Sequence, residues 1–384
     1  MTDPIFRADG ERGAASPAEA PAAGRPRFCS LPPMPAPELP HGLGPMRARA
    51  IIETQYKWLN GTVIHYFFFD RDGEGADGEY VRLRNGAREW RSWVGEERQK
   101  RVVREAFAQW KQLGIGLEFE EVDARTEAEV RIGFMPGDGS WSVIGTYALK
   151  MGSAERTMNF GWDLERDPDT ALHEIGHALG LKHEHQNPFA GIVWDEAAVY
   201  ASLAKPPNEW DEEKTYHNII RKLDRNEVNG SDWDPDSVMH YPIEPGLILE
   251  PEPYRGGIQP RGGFSERDIA WVRQFYPPLN TAGLPELRPG RSEPLPADNG
   301  SQSQFVVRPD ATRQYQIRTF GSCDTLVALF EDEGGTLRYR TADDDSGEDR
   351  NASLQLKLFK GRSYVVRAQM KYSDGTSPPT IMMW

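Results

Sequence analysis

The 384-residue chain contains only two cysteines, Cys29 and Cys323, far apart and in segments of different texture. A disulfide framework is therefore not what holds the fold. No run approaches the roughly 18 apolar residues of a membrane-spanning helix. The opening stretch, MTDPIFRADGERGAASPAEAP, carries acidic groups and lacks the apolar core of about seven or more residues that a secretory signal requires. No membrane span and no classical export are expected, leaving cytoplasmic residence or a signal-independent route. Excess positive charge is missing too: 45 Lys and Arg face 59 Asp and Glu, a formal charge of −14. Without a basic stripe to meet phosphates, a nucleic-acid partner is not expected. What remains is a soluble composition, long enough for two domains of ordinary size.

Texture divides the chain. Residues 1–48 are rich in Pro, Ala and Gly and bury too little apolar surface to offset chain entropy, so they read as a flexible arm and a possible propeptide. From Trp58 onward, NGTVIHYFFF reads as a turn and a strand. Apolar residues between Glu97 and Leu113 recur at steps of three and four, giving an amphipathic helix ended by Gly114. LEFEEV, EVRIGF and TMNFG read as short strands, and Ser265 with Asp268 opens a last helix that Pro277 and Pro278 stop. This is an α+β pattern over residues 49–278. A linker is expected at 279–300, and period-two alternation over 301–384 (QFVVR, QYQIRT, TLVALF, LQLKLF, SYVVRA) predicts a small all-β sandwich.

Four of the eight histidines fall within residues 173–185, in HEIGHALGLKHEH. His173 and His177, four apart on a helix, project from one side, away from the Leu172, Ile175 and Leu179 face. Gly180 suits the left-handed turn that ends a helix, which returns His183 toward the same point. Three imidazoles with one open position are what a catalytic zinc requires. Glu174, one step round the helix, reaches water on that ion as general base without ligating it. The chemistry read from this pattern is peptide hydrolysis. A bare HExxH arises by chance on polar helix faces; Gly180 and His183 at fixed further offsets make chance far less plausible.

HEIGHALGLKHE resembles the HExxHxxGxxH signature of the metzincin zinc endopeptidases, and Glu184, Gln186, Asn187 and Pro188 make it similar to the astacin family in particular. SVMHY, Ser237–Tyr241, resembles that family's Met-containing turn. The resemblance covers about Arg47–Pro278. It implies a twisted, mainly parallel sheet with an edge strand, an active-site helix and a C-terminal helix. It implies one zinc ion on His173, His177 and His183, Met239 as a hydrophobic floor, and Tyr241 as a fifth ligand that swings away to assist the transition state. It implies protein or peptide substrates for a monomeric enzyme, bound by backbone pairing to an edge strand, the region that Gly139–Gly145 resembles. The glutamate matching Glu184 pairs in the family with a processed amino terminus; a solvated helix-end charge is the other reading.

Two family features are missing, the paired disulfides of the catalytic domain and a secretory signal. Cys29, in RPRFCSLPP, loosely resembles the switch by which matrix metalloprotease propeptides block their zinc; a free thiol in the arm is the alternative. Asp343–Asp349, DDDSGED, offers carboxylates to Ca²⁺ without EF-hand spacing, and a solvated hairpin loop is the preferred reading. The sandwich resembles those appended to bacterial secreted peptidases. Two other readings of the zinc motif stay open: a zinc-stabilised binding protein, and a hydrolase of some other bond.

Overall fold

The strand β1 (Val63–Phe68), VIHYFF, is built from β-branched and aromatic residues that suit a pleated surface covered on both sides. It is followed by an antiparallel ribbon, β2 (Gly78–Arg82) and β3 (Arg88–Ser92), then helix α1 (Glu97–Gln112), β4 (Glu118–Glu121), β5 (Val130–Gly133), β6 (Trp141–Ser142) and β7 (Met158–Asn159). These come from a computed structural model that describes residues 27–33, 56–83, 85–223, 232–278, 283–298, 300–333 and 336–384. Five strands form one sheet in the order β4-β1-β5-β7-β6, parallel except at β6, which runs antiparallel to β7 along the edge. The predicted helix and strands all form, trimmed by a residue or more at their ends. Helix α1 lays its apolar face on the sheet, where Phe107 stacks on Tyr66 with ring centroids 4.2 Å apart.

Beyond the sheet come α2 (Asp169–Ala178), β8 (Val193–Trp194), α3 (Glu196–Leu203), α4 (Glu212–Thr215) with a π-helical turn at Tyr216–Ile220, β9 (Ile248–Glu250) and α5 (Glu266–Phe275). The C-terminal end of α2 is held from three directions. Gly180, at φ +96°, donates to the His177 carbonyl at 2.8 Å, and Leu181 donates to that of Gly176 at 3.0 Å. This is a Schellman termination, which needs the left-handed residue that glycine supplies. The Trp58 indole donates to Ala178 O at 2.8 Å and the Tyr276 hydroxyl to Leu179 O at 2.7 Å, so the helix's last carbonyls meet side chains from both ends of the domain. Ser265 and Asp268 form the expected capping box of α5. Asp268 also accepts Ser237 Oγ at 2.6 Å and Val238 N at 2.8 Å, tying that helix to the Met-containing turn.

The C-terminal part consists of β10 (Ser292–Pro294), β11 (Gln302–Val307), β12 (Arg313–Phe320), β13 (Cys323–Glu333), β14 (Thr336–Asp343), β15 (Ser353–Leu358), β16 (Ser363–Ser373) and β17 (Thr380–Met383). Two four-stranded sheets, β10-β17-β12-β15 and β11-β16-β13-β14, enclose one apolar core. The sandwich starts earlier than its alternation indicates, because Ser292–Pro294, inside the expected linker, pairs with Thr380–Met382 at the far end of the chain.

A larger correction concerns the arm. Within 1–48, residues 27–33 are described, and Phe28, Cys29, Ser30 and Leu31 are buried against the first domain. Composition reports how little a segment buries on its own; it does not see a groove prepared elsewhere in the chain.

Candidate metal centre

Helix α2 presents His173 and His177 one turn apart, and the Gly180 turn returns His183 to the same place. The His177 and His183 Nε2 atoms are 3.0 Å apart. The far ring nitrogens of the helical pair are engaged: His173 Nδ1 donates to Val238 O and His177 Nδ1 to Leu181 O, both at 2.8 Å. A carbonyl only accepts, so each Nδ1 carries the proton and each Nε2 turns its lone pair inward. Burial lowers His173 to about 4 and, reinforced by the neighbouring imidazoles, keeps His177 and His183 well below the usual histidine range. Neutral imidazole is the form that ligates a metal.

At the centre of this triad sits the Cys29 thiol. Its Sγ lies 3.2, 3.5 and 3.1 Å from the Nε2 atoms of His173, His177 and His183, and 3.1 Å from the Tyr241 hydroxyl. The four donor atoms fall within 4.8 Å of one another, the one such group among the described residues. A single small cation can touch all four at about 2.0–2.3 Å, and the N₃S donor set suits zinc. Burial and the carboxylate of Glu174 push the bare thiol well up; a cation at that point reverses the balance in favour of thiolate.

Glu174 is fully buried beside the triad, and neither carboxylate oxygen accepts an N–H or O–H from the described residues. Burial therefore pushes its carboxyl well above the ordinary range, an effect the adjacent Cys29 thiol partly offsets. A buried carboxylate left in this condition is costly as structure and suited to proton transfer. Met239 lies under the helix: a Cβ added at Gly176 would stand 2.4 Å from its sulfur, so glycine allows the close approach. Tyr241 donates to the Cys29 carbonyl at 2.8 Å, and its oxygen is 2.5 Å from His183 Nε2. All seven residues named from sequence are thus gathered at one point, including the thiol, whose alternative reading was a free group.

Other expectations resolve differently. Glu184 is no solvated charge: it accepts Asn187 Nδ2 and Asp234 N, both at 3.0 Å, and burial raises it to about 7. It borders a cavity of about 340 Å³ that Tyr56, Lys57 and Trp271 also line. In the acidic loop, Asp343 accepts Ser353 N at 2.7 Å and Ser346 N at 3.1 Å, and Asp344 pairs with Lys371 at 2.8 Å, so these carboxylates turn to neighbours rather than toward a common point. Sequence reasoning missed Asn208, Trp210 and Asn218, which hold the docked arm. They lie on a segment that carries no recognisable motif.

Residues 92–276, slightly under half of the chain, match the family model of the astacin peptidases. These residues form an astacin-like metalloprotease domain. Nematocyst expressed protein 6 of Nematostella vectensis is 25% identical over 281 residues, 71% of this chain and 81% of that protein. Metalloendoproteinase 1-MMP of Arabidopsis thaliana is 35% identical over 132 residues, 29% of this chain and 34% of the plant protein, so the chain spans about a third of that relative. Myroilysin, among solved structures, is 29% identical with a TM-score of 0.48, covering 59% of this chain and 97% of its own. The astacin-like domain holds the triad, Glu174 and Tyr241; Cys29 reaches it from outside the matched residues.

Proposed function

We propose that the chain is a zinc-dependent endopeptidase held latent by its own N-terminal arm. His173, His177 and His183 would hold the metal, Cys29 would supply a further ligand while the arm is docked, and Met239 lies against the helix at Gly176. Zinc bound there would acidify water and polarise a peptide carbonyl. Glu174, fully buried beside the triad, would take the water's proton and return it to the departing amine. The Tyr241 hydroxyl, freed of the Cys29 carbonyl once the arm leaves, donates to the oxygen on which negative charge develops. Glu184 and the cavity beside it would receive an amino terminus created by cutting the arm away.

The observation that carries this reading is Glu174. Three histidines and a cysteine also make a closed structural site, and a zinc-stabilised binding protein is the second reading that this closure favours. A closed structural site, however, has no use for a fully buried carboxylate to which no N–H or O–H of the described residues donates. Casein hydrolysis and zinc content, measured on the full-length chain and on Glu174→Gln, separate the two. About one zinc in each protein is expected, with weak cleavage by the parent, whose arm occludes the site, and none by Glu174→Gln. Cleavage that survives Glu174→Gln would overturn the assignment of the base. If neither protein cleaves, the same pair is measured with Cys29→Ala added, and continued inactivity leaves the structural zinc.

A further inference from the structure

The segment Phe28–Leu31 crosses the metal centre as a peptide substrate would have to, and its contacts describe the groove. Ser30 N donates to Ser140 O at 3.0 Å, next to the edge strand β6. On other sides, Phe28 N donates to Asn208 Oδ1 at 3.1 Å and Leu31 N to Asn218 Oδ1 at 2.7 Å. Asn218 is itself buried, and its Nδ2 donates to Lys214 O at 3.0 Å, which fixes the amide so that its oxygen faces the groove. It sits on the π-helical turn Tyr216–Ile220, a local widening that recurs at functional sites. These three acceptors engage backbone N–H groups, which any extended peptide supplies whatever its side chains.

One contact is selective. The Phe28 ring is buried in an apolar recess, edge-on to Tyr241 at 5.0 Å between centroids and tilted against Trp210 at 6.1 Å. Lys214 Nζ stands 5.0 Å from the Trp210 ring centre, and Ile219 belongs to the same buried cluster. Tyr241 joins the recess to the chemistry: its ring packs on Phe28 while its hydroxyl is 3.1 Å from Cys29 Sγ, the atom at the metal position. Phe28 and Cys29 are consecutive, so a side chain in this recess belongs to a residue next to the one at the metal.

We infer that the recess walled by Trp210 and Tyr241 is a specificity subsite for a large aromatic side chain adjacent to the scissile bond, with Asn208 and Asn218 holding the substrate backbone. This rests on the endopeptidase reading. The arm is then a product-like stopper whose Phe28 fills the subsite that substrates compete for, and the enzyme favours cleavage beside Phe or Tyr.

The test uses the full-length chain carrying Phe28→Ala and Cys29→Ala, which removes the ring from the recess and the thiol from the metal position. Its kcat/KM is measured on peptides that place Phe, Tyr, Leu, Ala or Asp at each position beside the cut. At one position Phe is expected to exceed Ala by about 10–100-fold, the scale of burying one aromatic side chain. Adding Trp210→Ala, or the milder Trp210→Leu, should bring that ratio to within about threefold and leave ratios at other positions unchanged. A ratio within one protein does not depend on how much of it is folded. Adding Asn218→Ala should instead raise KM for all peptides alike. Separately, the peptide RPRFCSLPP should inhibit the same chain about 10–100-fold more strongly than RPRACSLPP. Hydrolysis without an aromatic preference, or with one that Trp210 variants leave intact, overturns the inference alone; absence of any peptide hydrolysis removes it together with the reading beneath it.

Discussion

At the scale of single residues, the site is a set of groups whose ordinary behaviour has been altered by burial. Cys29 illustrates this most clearly: a thiol among three imidazoles, with Glu174 opposing its ionisation, is stable there as thiolate only with a cation. Replacing it frees one coordination position and leaves three nitrogen ligands, so Cys29→Ala should retain zinc and raise the casein-cleaving activity of the full-length chain several-fold. Unchanged activity with zinc in place would remove the latency role. The Phe28 ring, packed on Trp210 and Tyr241, still anchors the arm in that variant, so adding Phe28→Ala should raise activity further. Tyr241→Phe addresses the other side of the site. Its ring packing survives and only the hydroxyl is lost, so kcat should fall by about 100-fold, the cost of removing one donor to a developing oxyanion, with KM nearly unchanged. A fall in KM-dependent binding alone would place Tyr241 in substrate recognition instead.

At the scale of elements, α2 is positioned by its termination, and this much was readable in advance. The i, i+4 histidines, a glycine after the helix and a third histidine beyond it are local facts about period and backbone freedom, and they named the three histidines that the structure brings together. The strands β1, β4, β5 and β7 were readable for a similar reason, since β-branched and aromatic runs bounded by turns need no partner to be noticed. Two features were not local. Ser292–Pro294 pairs with a strand nearly ninety residues later, and RFCSLPP folds into a groove formed by residues 140, 208, 210 and 218. Pattern along a chain carries no trace of contacts at that separation. Gly180→Ala tests the local logic directly. Its φ of +96° is left-handed, and an added Cβ would lie 3.2 Å from Tyr56 O. The strain costs about 1–2 kcal/mol, so the melting temperature of the zinc-loaded chain should drop by roughly 2–8 °C. Because the same turn aims His183, zinc should also be lost at lower chelator concentration. An unaltered chelator titration would mean that His183 is placed by its neighbours rather than by the turn.

At the scale of the molecule, the two parts have separate cores: the first runs from Trp58 to Tyr276 and the second from Leu287 to Met383, with no shared residue. Their junction is the Asn60-Gly61 turn. Arg367 of β16 donates from Nη1 to Asn60 O at 2.9 Å, and Gln302 of β11 accepts Asn60 N at 3.1 Å. Gly61, at φ +90°, has no Cβ because that atom would stand 0.9 Å from the same Nη1. Arg367 is buried, and burial lowers its guanidinium to about 10. A charge taken out of water for so few hydrogen bonds contributes orientation more than stability. The turn, moreover, has support inside the first domain, since Asn60 Nδ2 donates to Pro277 O at 2.8 Å and Gly61 N donates to Gly116 O. The peptidase part should therefore stand without the sandwich. A chain ending at residue 278 is expected to bind one zinc and, with Cys29→Ala, to cleave a short peptide with kcat/KM within about twofold of the full-length Cys29→Ala chain. If truncation instead abolished zinc binding, the Arg367 contact would have to be counted among the forces that hold Trp58, and through its indole the end of α2, in place.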